Sequence, residues 1–285
     1  MPAVFVWLWS TGFIGAKYGL PYAEPFTLLL YRMLSTLVVL GLIAWWLKSK
    51  WPSVTGMVHT ATTGLLVHRL YLGGVFYAID DGMPAGVVSI IVGLQPLVTA
   101  AVAVVVLRES ISMRQWSGLV LGLIGVSLVI LEKIGGTSQV SGFPVSALLW
   151  TLIALAGISI GTVYQKRFCQ GVDLVPGAFI QYCAASVLFA LGAFAFESRE
   201  VSWNIQLILA TGWLVLGLSV GAILLLMQLI RRGAASNVAS LFYLVPPVTA
   251  LQAYILFDER LGLIALCGGL LAVLGVALVV IKKNN

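Results

Sequence analysis

Apolar residues run along this chain in blocks of about twenty, and polar residues fall mostly in the short joints between them. About 20 predominantly apolar residues make a helix that crosses a bilayer. Ten blocks meet that description, at roughly 2–20, 27–47, 58–79, 83–106, 114–131, 145–166, 175–196, 205–230, 234–257 and 262–281. The pattern predicts an all-α integral membrane protein with ten transmembrane helices. The longest joint, 132–144 (EKIGGTSQVSGFP), is a Gly/Ser-containing loop too short for a soluble domain. The first block has neither a basic flank nor a small-residue cleavage site, so it reads as a span rather than a signal peptide.

Composition agrees. Hydrophobic residues make up 60% of the 285 and charged residues 9%, against about 25% charged in a soluble domain. The charges that remain set orientation, because Lys and Arg near span ends favour the cytoplasm. With the N-terminus inside, the inner ends hold Lys48, Lys50, Arg108, Arg114, Lys166, Arg167, Arg231, Arg232, Lys282 and Lys283. The outer ends hold Lys17, Lys133, Arg199 and Arg260. Ten against four places both termini in the cytoplasm, for a multi-pass protein of the cell (inner) membrane. This bias also accounts for the net charge of +6. No basic arm or soluble basic face is available for nucleic acid. Cys169, Cys183 and Cys267 lie in or beside spans without metal-ligand spacing, so they read as small apolar fillers, and no metal or cofactor is expected.

The chain also repeats itself. Pro96-Leu97-Val98-Thr99-Ala100 returns as Pro246-Pro247-Val248-Thr249-Ala250, and at the same offset Glu109 meets Glu259, Gly118 meets Gly268 and Gly125-Val126 meets Gly275-Val276. The repeats are residues 1–133 and 145–283, joined by a linker at 134–144. Five spans in each half force the second to insert upside down. The charges switch accordingly: Asp80-Asp81 outside corresponds to Arg231-Arg232 inside. Inverted repeats suit a carrier, whose two halves exchange conformations around one central site.

Three stretches carry a resemblance: WLWSTGFIGAKYGLPYAEPFTLLLYRM, SIIVGLQPLVTAAVAVVVLRESIS and its echo SLFYLVPPVTALQAYILFDERLG. With them the chain resembles the drug/metabolite transporter superfamily, EamA-domain branch, over nearly its whole length as two repeats. The resemblance implies ten spans and a small-metabolite carrier, often an exporter of amino acids and related compounds. It also implies that the fifth and tenth spans could meet a second protomer, which leaves a homodimer open.

Polar residues inside spans are expensive and mark candidate chemistry. Arg32 lies about a turn and a half below the outer surface, where it could snorkel outward, meet Glu24, or face the substrate. His68 and Arg69 fall near the centre of the third span, in GLLVHRLYLGGVFYAI, and map onto the uncharged Ser219 and Val220. On an α-helix they point about 100° apart. Arg69 is the preferred group for an anionic substrate, since a guanidinium binds a carboxylate through two parallel hydrogen bonds. His68 reads either as a neutral, carbonyl-bonded histidine or as a proton carrier. Gln95, Tyr164, Gln181 and Tyr243 complete the polar candidates, and Trp9 is deep enough for a cavity wall. Pro96, Pro246 and Pro247 predict kinks or hinges inside spans. Arg32, Arg69 and the Pro96/Pro246 region are expected to converge on one central cavity.

The expected function is secondary transport of a small, carboxylate-bearing metabolite by alternating access. An integral membrane enzyme is the weaker alternative, because the chain shows no metal cluster, nucleophile–base pair or buried acid pair. A channel-like facilitator would show a polar stripe through several spans, whereas the polar residues here are isolated points.

Overall fold

The computed structural model describes residues 2–107, 112–134, 142–222, 225 and 241–280. The expectations for Arg108, Glu109, Arg231, Arg232, Lys282 and Lys283 therefore lie outside the described residues. All named elements among them are helical, and one isolated antiparallel bridge joins Ala23 to Val201.

The helices, in order, are α1 (Pro2–Gly19), α2 (Pro25–Trp46), α3 (Val54–Gly64), α4 (Gly73–Asp80), α5 (Ala85–Val92), α6 (Gln95–Leu107), α7 (Met113–Ile134), α8 (Val145–Phe168), α9 (Leu174–Phe196), α10 (Ile205–Gly212), α11 (Val245–Phe257) and α12 (Leu263–Val280). Six stretches are long and apolar enough to cross a membrane: Pro25–Trp46, Ala85–Val106, Met113–Glu132, Val145–Phe168, Leu174–Phe196 and Ile205–Ala222. Val245–Phe257 and Leu263–Leu278 form shorter apolar helices.

Local chemistry explains the ends. Ser53 starts α3 by accepting a hydrogen bond from the Gly56 N–H at 3.3 Å, and Asn204 starts α10 by accepting from Leu207 at 2.8 Å. Such caps satisfy amides that have no partner within the helix. The predicted block 83–106 divides at Gly93-Leu94, and Pro96 falls in the first turn of α6. Pro246 and Pro247 likewise open α11 after a 3₁₀ turn at Phe242–Leu244. In a first turn proline removes no helical hydrogen bond. The three prolines therefore lie in the first turns of helical segments, Pro96 just after a break at Gly93-Leu94 within the span Ala85–Val106.

Two wide turns break the ordinary helical geometry. Leu65–Leu72 joins α3 to α4 and Trp213–Ala222 continues α10, both as π-helix. In the first, the Gly73 N–H bonds to the carbonyl of His68, five residues back. Runs of this kind are rare and recur at functional sites. His68 and Arg69 sit in one of them, and Ser219 and Val220 sit in the other.

The outer surface of the bundle is apolar. Trp45 and Trp46 are 79% and 77% exposed at one end, and Phe194 and Phe196 are 70% and 81% exposed at the other. In water such a surface would associate, whereas lipid is its natural solvent. Helices α7 and α12 approach backbone to backbone. A Cβ built on Gly125 would lie 2.4 Å from the Gly268 carbonyl oxygen, and one on Gly275 would lie 2.6 Å from that of Gly118. The small-residue rows of these helices face each other within one chain, the arrangement that permits close helix packing.

Candidate functional site: a central cavity with a buried guanidinium

A cavity of about 150 Å³ lies among α1, α2, α4, α8, α9 and both π turns. Its walls are aromatic and aliphatic, and include Trp9, Phe13, Tyr71, Phe76 and Tyr182. Its polar groups are Arg32, His68 and Ser219, together with the tyrosine hydroxyls.

Arg32 is 5% exposed. Its Nη2 and Nε donate to Ser219 Oγ at 3.3 and 3.4 Å. That hydroxyl donates its own proton to the Leu214 carbonyl, five residues back along the π turn, at 3.1 Å. The widened turn thus leaves the Ser219 oxygen free to accept from Arg32. Among the described residues no carboxylate pairs with Arg32 and none lines the cavity. A buried guanidinium with only long hydrogen bonds to a hydroxyl is poorly compensated.

His68 enters from the other π turn. Its ring lies 4.4 Å from that of Tyr182, Gln181 stands beside it, and its buried Nδ1 has no partner among the described residues. A smaller cavity of about 30 Å³ shares Trp9, Phe13 and Tyr71 with the first and is lined further by Gln95, Pro96 and Pro246. Trp9 stands between the two, with Phe5 and Phe242 packed on it at 5.4 and 5.1 Å.

Arg69 does not line this cavity. Its guanidinium lies over the Phe26 ring at 4.1 Å and near the Phe189 ring at 5.5 Å, in cation–π contact. Gly73, one turn on, leaves room for it: a Cβ there would lie 3.0 Å from Arg69 Nη1. The carboxylate whose charge reaches Arg69 is that of Glu197. The structure thus brings Arg32, His68 and Trp9 together and turns Arg69 away. Arg32 neither snorkels outward nor meets Glu24, which instead accepts from Ser198 and the Arg199 amide.

Of the remaining candidates Gln181 adjoins His68, and the others disperse. Gln95 donates to Thr162 Oγ1 at 3.2 Å beside the smaller cavity. Tyr164 hydrogen-bonds His59 Nδ1 at 2.8 Å, in a cluster with Phe168 apart from both cavities. Gln181 is buried where its backbone touches Gly64. The Tyr243 side chain lies outside the described residues.

Three carboxylates at or near helix ends join helices. Glu197, at the end of α9, accepts from the Phe26 and Thr27 amides at 2.7 and 2.8 Å, from Thr27 Oγ1 at 2.8 Å and from Tyr77 at 2.7 Å. Glu259, beyond α11, accepts from the Ala85 and Gly86 amides at 3.1 and 3.2 Å and pairs with Lys17. Glu132, near the end of α7, accepts from the Ala265 amide at 2.5 Å. Each carboxylate meets the amino end of a helix, where free N–H groups and the helix dipole favour a negative charge. Each bond also links residues from the two opposite halves of the sequence. The readable signal was an acid at or just beyond the end of an apolar block.

Comparison with known proteins agrees with this architecture. The EamA-like transporter family matches twice, at residues 3–131 and 145–281. The chain is 29% identical to the uncharacterized transporter YvbV of Bacillus subtilis, over 99% of this chain and 91% of that protein. It is 27% identical to the uncharacterized inner membrane transporter YedA of Escherichia coli K12, over 97% and 88%. It is 26% identical to a probable amino-acid metabolite efflux pump of Salmonella typhimurium, over 94% and 89%. A chain solved by crystallography shares the fold with a TM-score of 0.63 at 19% identity, covering 97% of this chain and 94% of that one. Two matches spanning nearly all of the sequence, on an all-helical frame with an apolar exterior, establish that the chain belongs to the EamA-like transporter family.

Proposed function

We propose that this protein is a ten-span secondary carrier of the cytoplasmic membrane, with both termini inside, that exports a small carboxylate-bearing metabolite by alternating access. The observation that carries the reading is Arg32: a buried, carboxylate-free guanidinium in a cavity walled by aromatic side chains from both halves. A guanidinium of this kind awaits an anion. The Salmonella relative, named as a probable amino-acid metabolite efflux pump, supports both the direction and the size of cargo.

In this reading the two halves are inverted repeats that rock about the cavity. Two features support it. The π turns occupy matching places in the halves, and each contributes cavity wall: Val67, His68 and Tyr71 from one, Leu218 and Ser219 from the other. The carboxylate bonds of Glu197, Glu259 and Glu132 tie the halves together at what the charge pattern makes the outer end. Opening that end requires breaking such bonds, and closing it re-forms them.

The test is efflux from cells overexpressing the chain, followed by counterflow of the exported compound in proteoliposomes. Arg32→Gln should lower flux at least tenfold, from the loss of about 1.5–3 kcal/mol of charge-assisted hydrogen bonding to the cargo, with insertion unchanged. Equal flux in the variant would remove Arg32 from the site. Chemical conversion of a compound without its movement would replace the carrier by an enzyme.

A further inference from the structure

From the charge inventory of the cavity we infer the ionic class of its cargo: an apolar organic monoanion that carries no compensating ammonium group. The inference rests on the proposed carrier function and narrows it.

Arg32 supplies one fixed positive charge. Every other lining group is neutral or, in the case of His68, basic: Trp9, Tyr71, Tyr182, Ser219 and aliphatic or phenyl side chains. Among the described residues no Asp or Glu touches the cavity. An amino acid brought here as a zwitterion would satisfy Arg32 with its carboxylate. Its ammonium group would then be held within a few ångströms of the guanidinium with no acid to receive it. In a site of low polarity, like charges at that separation repel strongly, and an ammonium without a partner is costly to desolvate.

The aromatic rings offset part of this cost, since a cation can lie over an indole or phenol face. Several of those faces are already in use. Trp9 is packed by Phe5 and Phe242, and Tyr182 by the His68 ring. Among the described residues that line the cavity, the groups left to meet a cargo are the guanidinium, whose bonds to Ser219 Oγ are long, and His68 Nδ1, which has no partner. Together they fit a carboxylate plus one neutral polar atom, such as a keto or hydroxyl oxygen. The remaining volume and its phenyl walls fit an apolar body. A dry cavity of about 150 Å³ is large enough to admit benzene, which sets the scale for that body.

The experiment is equilibrium binding to the purified full-length protein in lipid nanodiscs, read by calorimetry. Three probes share one phenyl body: 3-phenylpropanoate (anion), phenylalanine (zwitterion) and phenethylamine (cation). The expected order is anion first, zwitterion on the order of tenfold or more weaker, and no saturable cation binding. Arg32→Gln should reduce the anion's advantage to about twofold or less, while Arg32→Lys retains most of it. Phenylalanine binding as tightly as 3-phenylpropanoate overturns the inference, as does failure of all three to bind. If the probes bind and Arg32→Gln weakens them all equally, the cavity reading stands and charge selection falls. If Arg32→Gln changes none of them, the cavity reading falls with it.

Discussion

Replacing Glu197 by glutamine tests the carboxylate bonds most directly, because the two side chains have nearly the same shape. Each carboxylate oxygen accepts two hydrogen bonds: one from the Phe26 amide and Tyr77 at 2.7 Å, the other from the Thr27 amide and hydroxyl at 2.8 Å. In glutamine one oxygen becomes an NH₂ group. Whichever way the amide turns, its NH₂ then faces one backbone N–H that cannot rotate away. The hydroxyl on that side adapts by rotating to accept. One buried N–H loses its acceptor, at about 1–3 kcal/mol. Loss of the negative charge at the start of α2 adds about 0.3–1 kcal/mol. The expected destabilisation is therefore about 1.3–4 kcal/mol. The assay is thermal unfolding of purified protein in nanodiscs, with Glu200→Gln as the control, since Glu200 is exposed and makes no such contacts. A midpoint lowered by several degrees is expected for Glu197→Gln only, on a scale of about 2–4 °C per kcal/mol. Equal midpoints for both variants would refute the bonding described here. Glu197→Ala, which leaves both amides without an acceptor, should fall further.

The other predictions are simpler. Arg69→Met should keep flux within about twofold while lowering stability by about 1–2 kcal/mol, the contribution of a partly buried cation–π contact; a tenfold loss of flux at unchanged stability would return Arg69 to the transport path. Gly125→Val should fail to accumulate in membranes or melt far below the parent, because its Cβ would meet the Gly268 oxygen and the Ala272 amide at 2.4 and 2.6 Å. Gly212→Ala, with nothing within 4 Å, should be silent in the same assay. A C-terminal tag should be cleaved by protease only in inside-out vesicles, and cleavage in intact spheroplasts would overturn the ten-span count.

Hydropathy alone located most of the helices, because a chain dissolved in lipid has little freedom in how it distributes apolar residues. The residues of the cavity were less legible. Arg32, His68 and Trp9 stand out in the sequence as polar or amphipathic side chains at depth, and they do share a cavity. The sequence favoured Arg69 over Arg32, whereas Arg32 lines the cavity and Arg69 does not, for two physical reasons. The π turn at Leu65–Leu72 changes the rotation per residue, so an α-helical wheel misplaces the side chains it carries. The rings that receive Arg69, Phe26 and Phe189, come from helices distant in sequence and look like ordinary core residues. The break beside Pro96 was legible only in part. A hydropathy window joins α5 to α6 across Gly93-Leu94, which hides the helix start at which Pro96 sits.

The solitary guanidinium of the cavity also has an electrical meaning. Arg32 is fixed to the protein, so a monoanion that leaves it carries one net negative charge across the bilayer. If export runs outward from a negative interior, each departure releases about 2.3 kcal/mol per 100 mV. The membrane potential then supplies the driving force, and no carboxylate relay is needed to couple the cycle to protons. Currents recorded from proteoliposomes on a solid support would show this directly: outward anion movement should register as charge displacement that grows with the imposed potential and disappears in Arg32→Gln.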